Sequence, residues 1–559
     1  MTTNDKEWEL EQGIPQLEDP FIQQYLKGRD SLILQEQKQQ HDFNLRRAQT
    51  AVAVRAGKIV SQIRDRESAQ FLSSSAQALP FVDREYIQRS DLWKIVQRMP
   101  KGSLLNASIH SFIDIDKLVD LILSTAGLHI SAPRPLSSFA VRQDSLVAFQ
   151  YASASTEQSA EDKGATIWSD DYLPSRLVSV QQAASSCPDG GEVGFRTWLK
   201  RNLTGGANDE QLQQNSGRSA AAPIINSLLS YEPILRACLR TVFANLAANG
   251  VDYAEFRHNF SHPYRREGNK SPDEDQSEWC HVFEQELQRF QKTEEGRGFH
   301  GARIIWTANR SLSNRDLADN MQTCIFAKYD YPGVICGFDL AEMDRDARPL
   351  SDLVPVLFWF RKECMDAGLE IPFLFHAGEM SGSEKGHANQ GLFDAILLGT
   401  RRICEGSTLY KHPLLIELVK EKKILVEFNP SLPSSTPILS ALLSRGVPVA
   451  LCDSNTPDRD QRGANGFTRE LWRVLLHGDD HTDLAGLTML VENSIRWSCY
   501  DDQPTAEWLS DIGDGILGDK VKARRLQEWW ARFEQFCEWV TETFGAEEGT
   551  ESQSVIEPM

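Results

Sequence analysis

Three side chains in the sequence are suited to acid–base chemistry, and each follows a short apolar run. His376 and Glu379 lie three residues apart after Pro372–Phe375, and Glu405 follows Arg402–Cys404. Imidazole and carboxylate groups exchange protons near neutral pH when burial or neighbouring charges shift their pKa values. His376, Glu379 and Glu405 are therefore the candidate catalytic residues.

Each of these residues also has a purely structural interpretation. His376 and Glu379 would then be the remains of an older site, held in place by packing. Glu405, if it lies beside Glu379, would have a raised pKa and act as an acid. Alternatively, Glu405 would form a salt bridge with Arg257 or Arg402. The sequence leaves both interpretations open.

Polar residues alternate at the end of another apolar run. Asn106, Ser108 and His110 are spaced by two, so in a strand their side chains point to one face. A two-residue step spans only about 6.6 Å, so His110 lies beyond the other two. We interpret His110 as a loop or surface histidine.

The elements that must position these residues are eight candidate strands separated by amphipathic helical patterns such as Leu353–Ala367. The strands are Ser103–Ala107, Asp252–Phe256, Arg303–Thr307, Gly333–Phe338, Pro372–Phe375, Arg402–Cys404, Ile424–Phe428 and Pro448–Cys452. Strands that alternate with helices predict a parallel α/β sheet, and eight units permit closure into a (β/α)₈ TIM barrel. Reactive residues then belong at the C-terminal ends of the strands. A doubly wound sheet fits the count too, but no Gly-rich phosphate loop follows the first strand.

Three regions flank or interrupt this pattern. Residues 1–95 are polar and predict an N-terminal helical arm, with helices at Phe21–Gln35 and Arg46–Ser68. The barrel is assigned to residues 96–545, with an irregular insertion at about 132–222 that is rich in Ser, Ala, Asp and Gly. Residues 546–559 are acidic and polar and predict a disordered tail.

Composition excludes several partners. The net charge of -20 argues against a nucleic-acid surface and against an anionic membrane. The ten cysteines form no C-x-x-C pair, and the several that fall inside apolar stretches are expected to be reduced and buried. The first twenty residues carry no basic segment followed by an apolar run, so a cytoplasmic location is expected. The expected partner is a small-molecule ligand, and a homodimer is left open.

Four ordered segments resemble the adenosine deaminase family, in the branch that contains the adenosine-deaminase-related growth factors and its fungal-type members. They are Met99–Gly102, Gly337–Leu340, Ile371–Glu379 and Asp394–Thr400. The resemblance covers most of residues 15–545. It implies a metal-dependent hydrolase barrel in which zinc hydroxide attacks C6 of adenosine and ammonia is released.

The resemblance also implies where the site residues should stand. Two histidines after the first strand, one after the fifth and an aspartate after the eighth would hold zinc. A glutamate three residues beyond the fifth-strand histidine would protonate the purine. A histidine after the sixth strand would assist the attacking water, and a second aspartate would hold the base.

Most of these positions carry other residues in this chain. The histidine pair falls on Asn106 and Ser108, and the sixth-strand histidine falls on Glu405. The aspartate pair falls on Ser454 and Asn455. Only His376 and Glu379 match; the glycine expected to approach the purine after the fourth strand falls on Glu342.

These substitutions remove what zinc chemistry requires. A catalytic zinc is held by three ligands drawn from imidazole, thiolate and carboxylate, and three of the four ligand positions here are Asn106, Ser108 and Ser454. No cofactor is expected. A metal site rebuilt from His376, Asp453, Glu405 and His110 is the weak alternative, with His376 and Asp453 as its candidate ligands.

Three functional hypotheses follow. The first is a repurposed, metal-independent hydrolase or lyase that acts on a purine-like or other small polar substrate through Glu379, His376 and Glu405. Its expected substrate-binding residues are Glu342, Asn455, Asn106 and Ser108. The second is a non-catalytic protein that binds nucleosides or a protein partner. The third is a residual adenosine deaminase.

Overall fold

The eight predicted strands are present in a computed structural model of the chain, in the predicted order. The structure describes residues 8–9, 11–73, 87, 89–143, 146–152, 166–204, 221–269, 271–341, 347–378, 390–430, 435–452 and 466–545. The strands are β1 (Gly102–Ala107), β5 (Val251–His258), β6 (Gly301–Asn309), β7 (Ile335–Ala341), β8 (Leu374–Ala377), β9 (Arg402–Glu405), β10 (Leu425–Phe428) and β11 (Val449–Leu451).

These strands form a curled parallel sheet in sequential order. β1, β5, β6 and β7 pair in one run and β8, β9, β10 and β11 in another. A parallel bridge between Phe338 and Phe373 links the two runs. Sequential order excludes the doubly wound alternative, in which the strand order reverses at a switch point.

Helices connect successive strands, as the alternating pattern predicts. From the insertion onward the helices are Ala221–Leu228, Glu232–Ala248, Ser277–Gln291, Asn314–Asp330, Leu350–Asp366, Gly391–Leu397, Pro413–Glu421, Ser435–Leu443, Gly466–His477, Leu484–Arg496, Thr505–Asp514 and Val521–Phe544. Short 3₁₀ turns lie at Ile109–Phe112, Leu409–Lys411 and Gly515–Leu517. In the last helix Trp529, Phe533 and Phe536 are buried in the hydrophobic core.

One helix lies against both end strands of the sheet. In Leu484–Arg496, the Ser494 hydroxyl accepts from the Ser103 backbone N–H at 3.1 Å. The Asn493 amide donates to the Val449 carbonyl at 2.9 Å. The strand pairs formed by the described residues do not include β1 with β11, so closure into a complete barrel stays a prediction.

The regions outside the parallel sheet are more regular than the sequence indicated. The helices in and next to the arm are Pro20–Gln37, Phe43–Ala48, Ala51–Ser73 and Asp91–Arg98. The insertion contains a three-stranded antiparallel sheet of β2 (Leu128–Ser131), β3 (Ala148–Tyr151) and β4 (Val178–Ser179), with helices Ile115–Ser124, Phe139–Gln143, Val180–Ser185 and Glu192–Leu203 nearby in the chain. These strands alternate between buried and more exposed positions, so they lack the continuous apolar run by which the parallel strands were recognised. The Ser-rich and Gly-rich stretches 153–165 and 205–220 and the tail 546–559 lie outside the described residues.

The N-terminal end of the sheet is closed by a segment that sequence patterns did not indicate. We call residues 497–502 the floor segment. Its backbone is held by strand side chains: the Cys499 carbonyl accepts from Tyr253 Oη at 3.0 Å and from Arg303 at 2.8 Å. Trp497 and Cys499 pack against inward-facing residues of the strands, including Leu105 and Leu374.

A buried ion-pair chain rises from this floor. The Cys499 N–H donates to Glu255 Oε1 at 2.6 Å, and Glu255 Oε2 lies 2.5 Å from Arg402. Arg402 Nε also lies 2.6 Å from Glu427 Oε1. The three charged side chains are at most 1% exposed, so each depends on its partners for the solvation it has lost.

All ten cysteines are buried free thiols, as expected from their apolar surroundings. Within the described residues, no helix combines the length and apolarity needed to cross a bilayer.

Replacing Arg402 with Met tests the buried chain. The change leaves Glu255 and Glu427 buried without their shared cation, and we expect the free energy of unfolding to fall by about 3–5 kcal/mol. Denaturant unfolding followed by circular dichroism measures this. Arg196→Met, which removes the exposed Arg196–Asp120 pair, is the matched control and should leave stability unchanged. Equal stability of both variants would contradict the role of Arg402.

A second prediction concerns His258, the last residue of β5, which stacks on Trp279 with ring centroids 4.7 Å apart. Burial lowers the pKa of His258 to about 3. The unfolded chain therefore takes up a proton below about pH 6.5 that the folded chain refuses.

We accordingly expect His258 to cost about 1.4 kcal/mol of stability per pH unit as the pH falls from 6.5 towards 4.5. His258→Phe retains an aromatic ring and should reduce that slope by this amount. Urea unfolding at several pH values measures this slope. The two proteins are expected to be equally stable only above pH 7. The same slope in both proteins would rule out the titration of His258 as its source.

Candidate functional site

The C-terminal ends of the parallel strands form a polar mouth. Because alternate residues of a strand share a face, Glu255 and Arg257 of β5 both enter the sheet interior, with Arg257 nearer the C-terminal end. Asn106 of β1, Asp339 of β7 and His376 of β8 lie at the same end. These side chains are brought together from strands that are far apart in the sequence.

Arg257 is the centre of the mouth. Its Nε donates to Asn106 Oδ1 at 3.0 Å and its Nη1 to the Leu374 carbonyl at 2.7 Å. Ion pairs of 2.8 Å join it to Asp339 Oδ2 and to Glu427 Oε2. Its side chain is only 6% exposed. Although burial alone would lower the pKa of Arg257, the two carboxylates raise it above its ordinary value.

Asp339 holds His376 in a fixed orientation. Its Oδ1 accepts from the His376 backbone N–H at 3.0 Å, and its Oδ2 lies 2.7 Å from His376 Nδ1. Burial alone would raise the pKa of Asp339, but Arg257 and His376 hold it well below its ordinary value. An ionised Asp339 keeps the proton of His376 on Nδ1. Among the described residues Nε2 has no hydrogen-bond partner, and the side chain is 16% exposed, so this is an aspartate–histidine dyad suited to proton transfer at Nε2.

Each polar atom of the Asn106 side chain makes one hydrogen bond within the protein. Its amide nitrogen donates to Cys404 Sγ at 2.8 Å while its oxygen accepts from Arg257. Cys404 is buried, and burial raises the pKa of its thiol well above the ordinary value. Cys404 therefore remains a thiol and fills the space beside Asn106.

Glu405 lies at the same level of the sheet as the dyad. It is paired in register with Ala377, next to His376. Its φ of 70° lies in the left-handed region, which is unusual for a residue with a side chain and is concentrated at functional sites. Among the described residues, the ion pairs of Arg257 and Arg402 are those with Asp339, Glu427 and Glu255, and the salt bridge to Glu405 that the sequence left open is not one of them.

The remaining predicted residues fall into two groups. Ser108 is half-buried directly after β1, and His110 lies in the 3₁₀ turn Ile109–Phe112, half-buried rather than at the surface. This turn returns the chain towards the body of the protein, which a strand pattern does not indicate. Five residues lie outside the described part of the chain: Glu342, Glu379, Asp453, Ser454 and Asn455.

The described donors do not fit a zinc ion. No three His, Cys, Asp or Glu side chains converge in a metal-binding arrangement within the described residues. A metal bound to Asn106 Oδ1 at about 2.1 Å would lie within about 5 Å of Arg257 Nε. The repulsion between a dication and the guanidinium at that distance is on the order of 7 kcal/mol at an effective dielectric constant of 20.

Three residues of the mouth were missed by the sequence reasoning, and Asp339, the partner of His376, is one of them. Glu427 lies inside the apolar strand Leu425–Phe428, and Arg257 was considered only as a partner of Glu405. The signal was present: a charged residue inside a fully buried strand must have a partner. Glu255, Arg257, Arg402 and Glu427 all meet that description.

Comparison with proteins of known sequence finds relatives over most of the chain. Adenosine deaminase 2-A of Danio rerio is 21% identical over 442 residues, which cover 76% of this chain and 81% of the relative. Adenosine deaminase 2 of Homo sapiens is 25% identical over 432 residues, covering 75% and 78%. Adenosine deaminase of Lutzomyia longipalpis is 23% identical, covering 81% and 80%.

Comparison with solved structures finds more distant matches. A Burkholderia ambifaria amidohydrolase with bound Zn is 13% identical with a TM-score of 0.48, covering 83% of this chain and 97% of that one. Adenine deaminase of Arthrobacter aurescens is 16% identical with a TM-score of 0.43, covering 75% and 100%. No family model matches the chain. The sequence relatives, aligned over about three quarters of the chain, support a relationship with the adenosine deaminase family.

Proposed function

We propose that this chain is a zinc-independent relative of adenosine deaminases that hydrolyses a purine nucleoside or a similarly small polar ligand at the mouth. The observation that carries the proposal is the position of Arg257. Its guanidinium is bonded directly to Asn106, one of the expected ligand positions, and through Asp339 to His376, another. A permanent guanidinium cation beside these ligand positions disfavours the binding of a divalent metal cation, because the two charges repel each other.

The Asp339–His376 dyad is the acid–base group of the proposed reaction. With Nδ1 bonded to Asp339, Nε2 would take a proton from the attacking water while the carboxylate stabilises the imidazolium. Glu379 would return a proton to the leaving group, and Glu405 would assist at the same level of the sheet. Ser108, Asn106, Glu342 and Asn455 are the proposed substrate contacts.

The ligand class follows from the relatives and from charge. The sequence relatives carry the name adenosine deaminase, so a purine nucleoside is the first candidate. The net charge of -20 disfavours polyanionic partners such as nucleic acids. Closure of the eight strands into a complete (β/α)₈ barrel and a homodimer are part of the same proposal; sedimentation of the full chain tests the homodimer.

A non-catalytic binding protein is the second candidate. It is favoured by the saturation of the mouth: Asn106 and Arg257 direct their hydrogen bonds to protein atoms rather than leaving them for a substrate. In that case the dyad orients a bound ligand and does not transfer a proton.

The proposal predicts purified full-length protein without stoichiometric zinc and without zinc-stimulated deamination of adenosine. Metal analysis and an absorbance assay for inosine formation measure both. A nucleoside panel should raise the melting temperature and yield a hydrolysis product by chromatography. We expect His376→Asn to lower kcat at least about 100-fold, while His129→Asn, in the antiparallel sheet, should leave it unchanged.

Stoichiometric zinc with robust deamination would contradict zinc independence. Ligand binding with no product from any nucleoside would contradict the hydrolase and establish the binding protein instead. Full activity of Glu379→Gln on a substrate found in this way would refute the role given to Glu379.

A further inference from the structure

We infer that Arg257 is an internal cation that positions the Asp339–His376 dyad, taking the part that a bound metal ion would otherwise take in holding the mouth together. The inference deepens the proposed function and rests on it. It assigns to one buried side chain two tasks: neutralising the carboxylates of the mouth and tying its strands to each other.

The side chain of Arg257 links the strand that carries it to four other strands. Arg257 projects from β5 and bonds to Asn106 on β1, Asp339 on β7, the Leu374 carbonyl on β8 and Glu427 on β10. Its bond lengths are 2.7–3.0 Å. The planar guanidinium with donors in a fixed fork can satisfy several acceptors at once, whereas a lysine ammonium at the same place is a single point charge.

Charge balance makes this cation necessary. The buried chain contains three carboxylates, Asp339, Glu427 and Glu255, and two guanidiniums, Arg257 and Arg402. Without Arg257, Glu427 keeps its bond to Arg402. Asp339, which is 0% exposed, would keep only His376 among its described ion-pair partners.

The orientation of His376 therefore depends on Arg257 through one shared oxygen. Asp339 Oδ2 lies 2.8 Å from Arg257 Nη1 and 2.7 Å from His376 Nδ1. Loss of the guanidinium frees one side of that carboxylate to rotate or to recruit another donor. Arg257 is thus a positioning residue for the dyad, and it need not contact the ligand itself.

The geometry further implies that the mouth would bind a free guanidinium ion if the Arg257 side chain were removed. Truncation to Ala would leave a planar space bounded by Asn106 Oδ1, the Leu374 carbonyl and the carboxylates of Asp339 and Glu427. These acceptors match the donors of a free guanidinium ion in both charge and direction. A sodium ion matches only the charge of guanidinium, and a neutral urea molecule matches only the direction of its donors.

The test is chemical rescue of Arg257→Ala in the full-length protein. We expect the variant to melt about 3–5 °C below the wild type. Millimolar guanidinium chloride, far below denaturing concentrations, should raise its melting temperature in a saturable way. Sodium chloride and urea at the same concentrations should not. Arg257→Met is the matched control, because its side chain fills the space without donors and should show no rescue.

A spectroscopic readout separates positioning from general destabilisation. The imidazole N–H resonance of His376, assigned with His376→Asn in histidine-labelled protein, should disappear or move in Arg257→Met. It should return to its wild-type position in Arg257→Ala when guanidinium is added. An unchanged resonance in Arg257→Met, or rescue of stability without return of the resonance, would overturn the positioning role.

If Arg257→Ala does not accumulate as folded protein, it is refolded in guanidinium buffer and in sodium chloride buffer in parallel. Recovery only with guanidinium supports the inference, and equal recovery overturns it. Failure of guanidinium rescue leaves the zinc measurement of the wild type untouched, so the two proposals fail separately.

Discussion

The mouth of this protein depends on one buried guanidinium. A charged side chain that is only 6% exposed is stable in a protein interior only when carboxylates and carbonyl oxygens replace the water that it has lost. Arg257 obtains these partners from β1, β7, β8 and β10, so the positions of those strand ends are coupled to a single side chain. Removal of Asp339 or Glu427 would leave Arg257 with a single carboxylate partner.

The same physics extends from the mouth to the floor. Alternating charges connect Asp339, Arg257, Glu427, Arg402 and Glu255, and the last of these accepts from the backbone of the floor segment. Such a chain contributes little net stability compared with apolar packing, because desolvation cancels most of the attraction. Its main effect is to specify the register of the strands, because the charges can pair only when each strand is in its correct position.

The same arrangement supports the zinc independence that we propose for the mouth. With Asn106 bonded to Arg257 and Cys404, the first strand offers an amide that is already engaged, in place of an available ligand. What persists is an aspartate and a histidine in contact at 2.7 Å. Proton transfer at His376 requires only that contact, whereas metal activation of water requires several ligands that the described residues do not bring together.

Much of the fold could be predicted from the sequence. All eight strands were located to within a few residues, because strands buried on both faces are continuous apolar runs whose ends carry the polar residues. The same pattern placed Asn106, His376 and Glu405 at the mouth. What only the tertiary structure decided was which charges meet: Arg257 with Asp339 and Glu427, over 82 and 170 residues of chain. Which charges pair across the interior depends on how the sheet curls and which strands face each other. Local residue patterns do not contain this information.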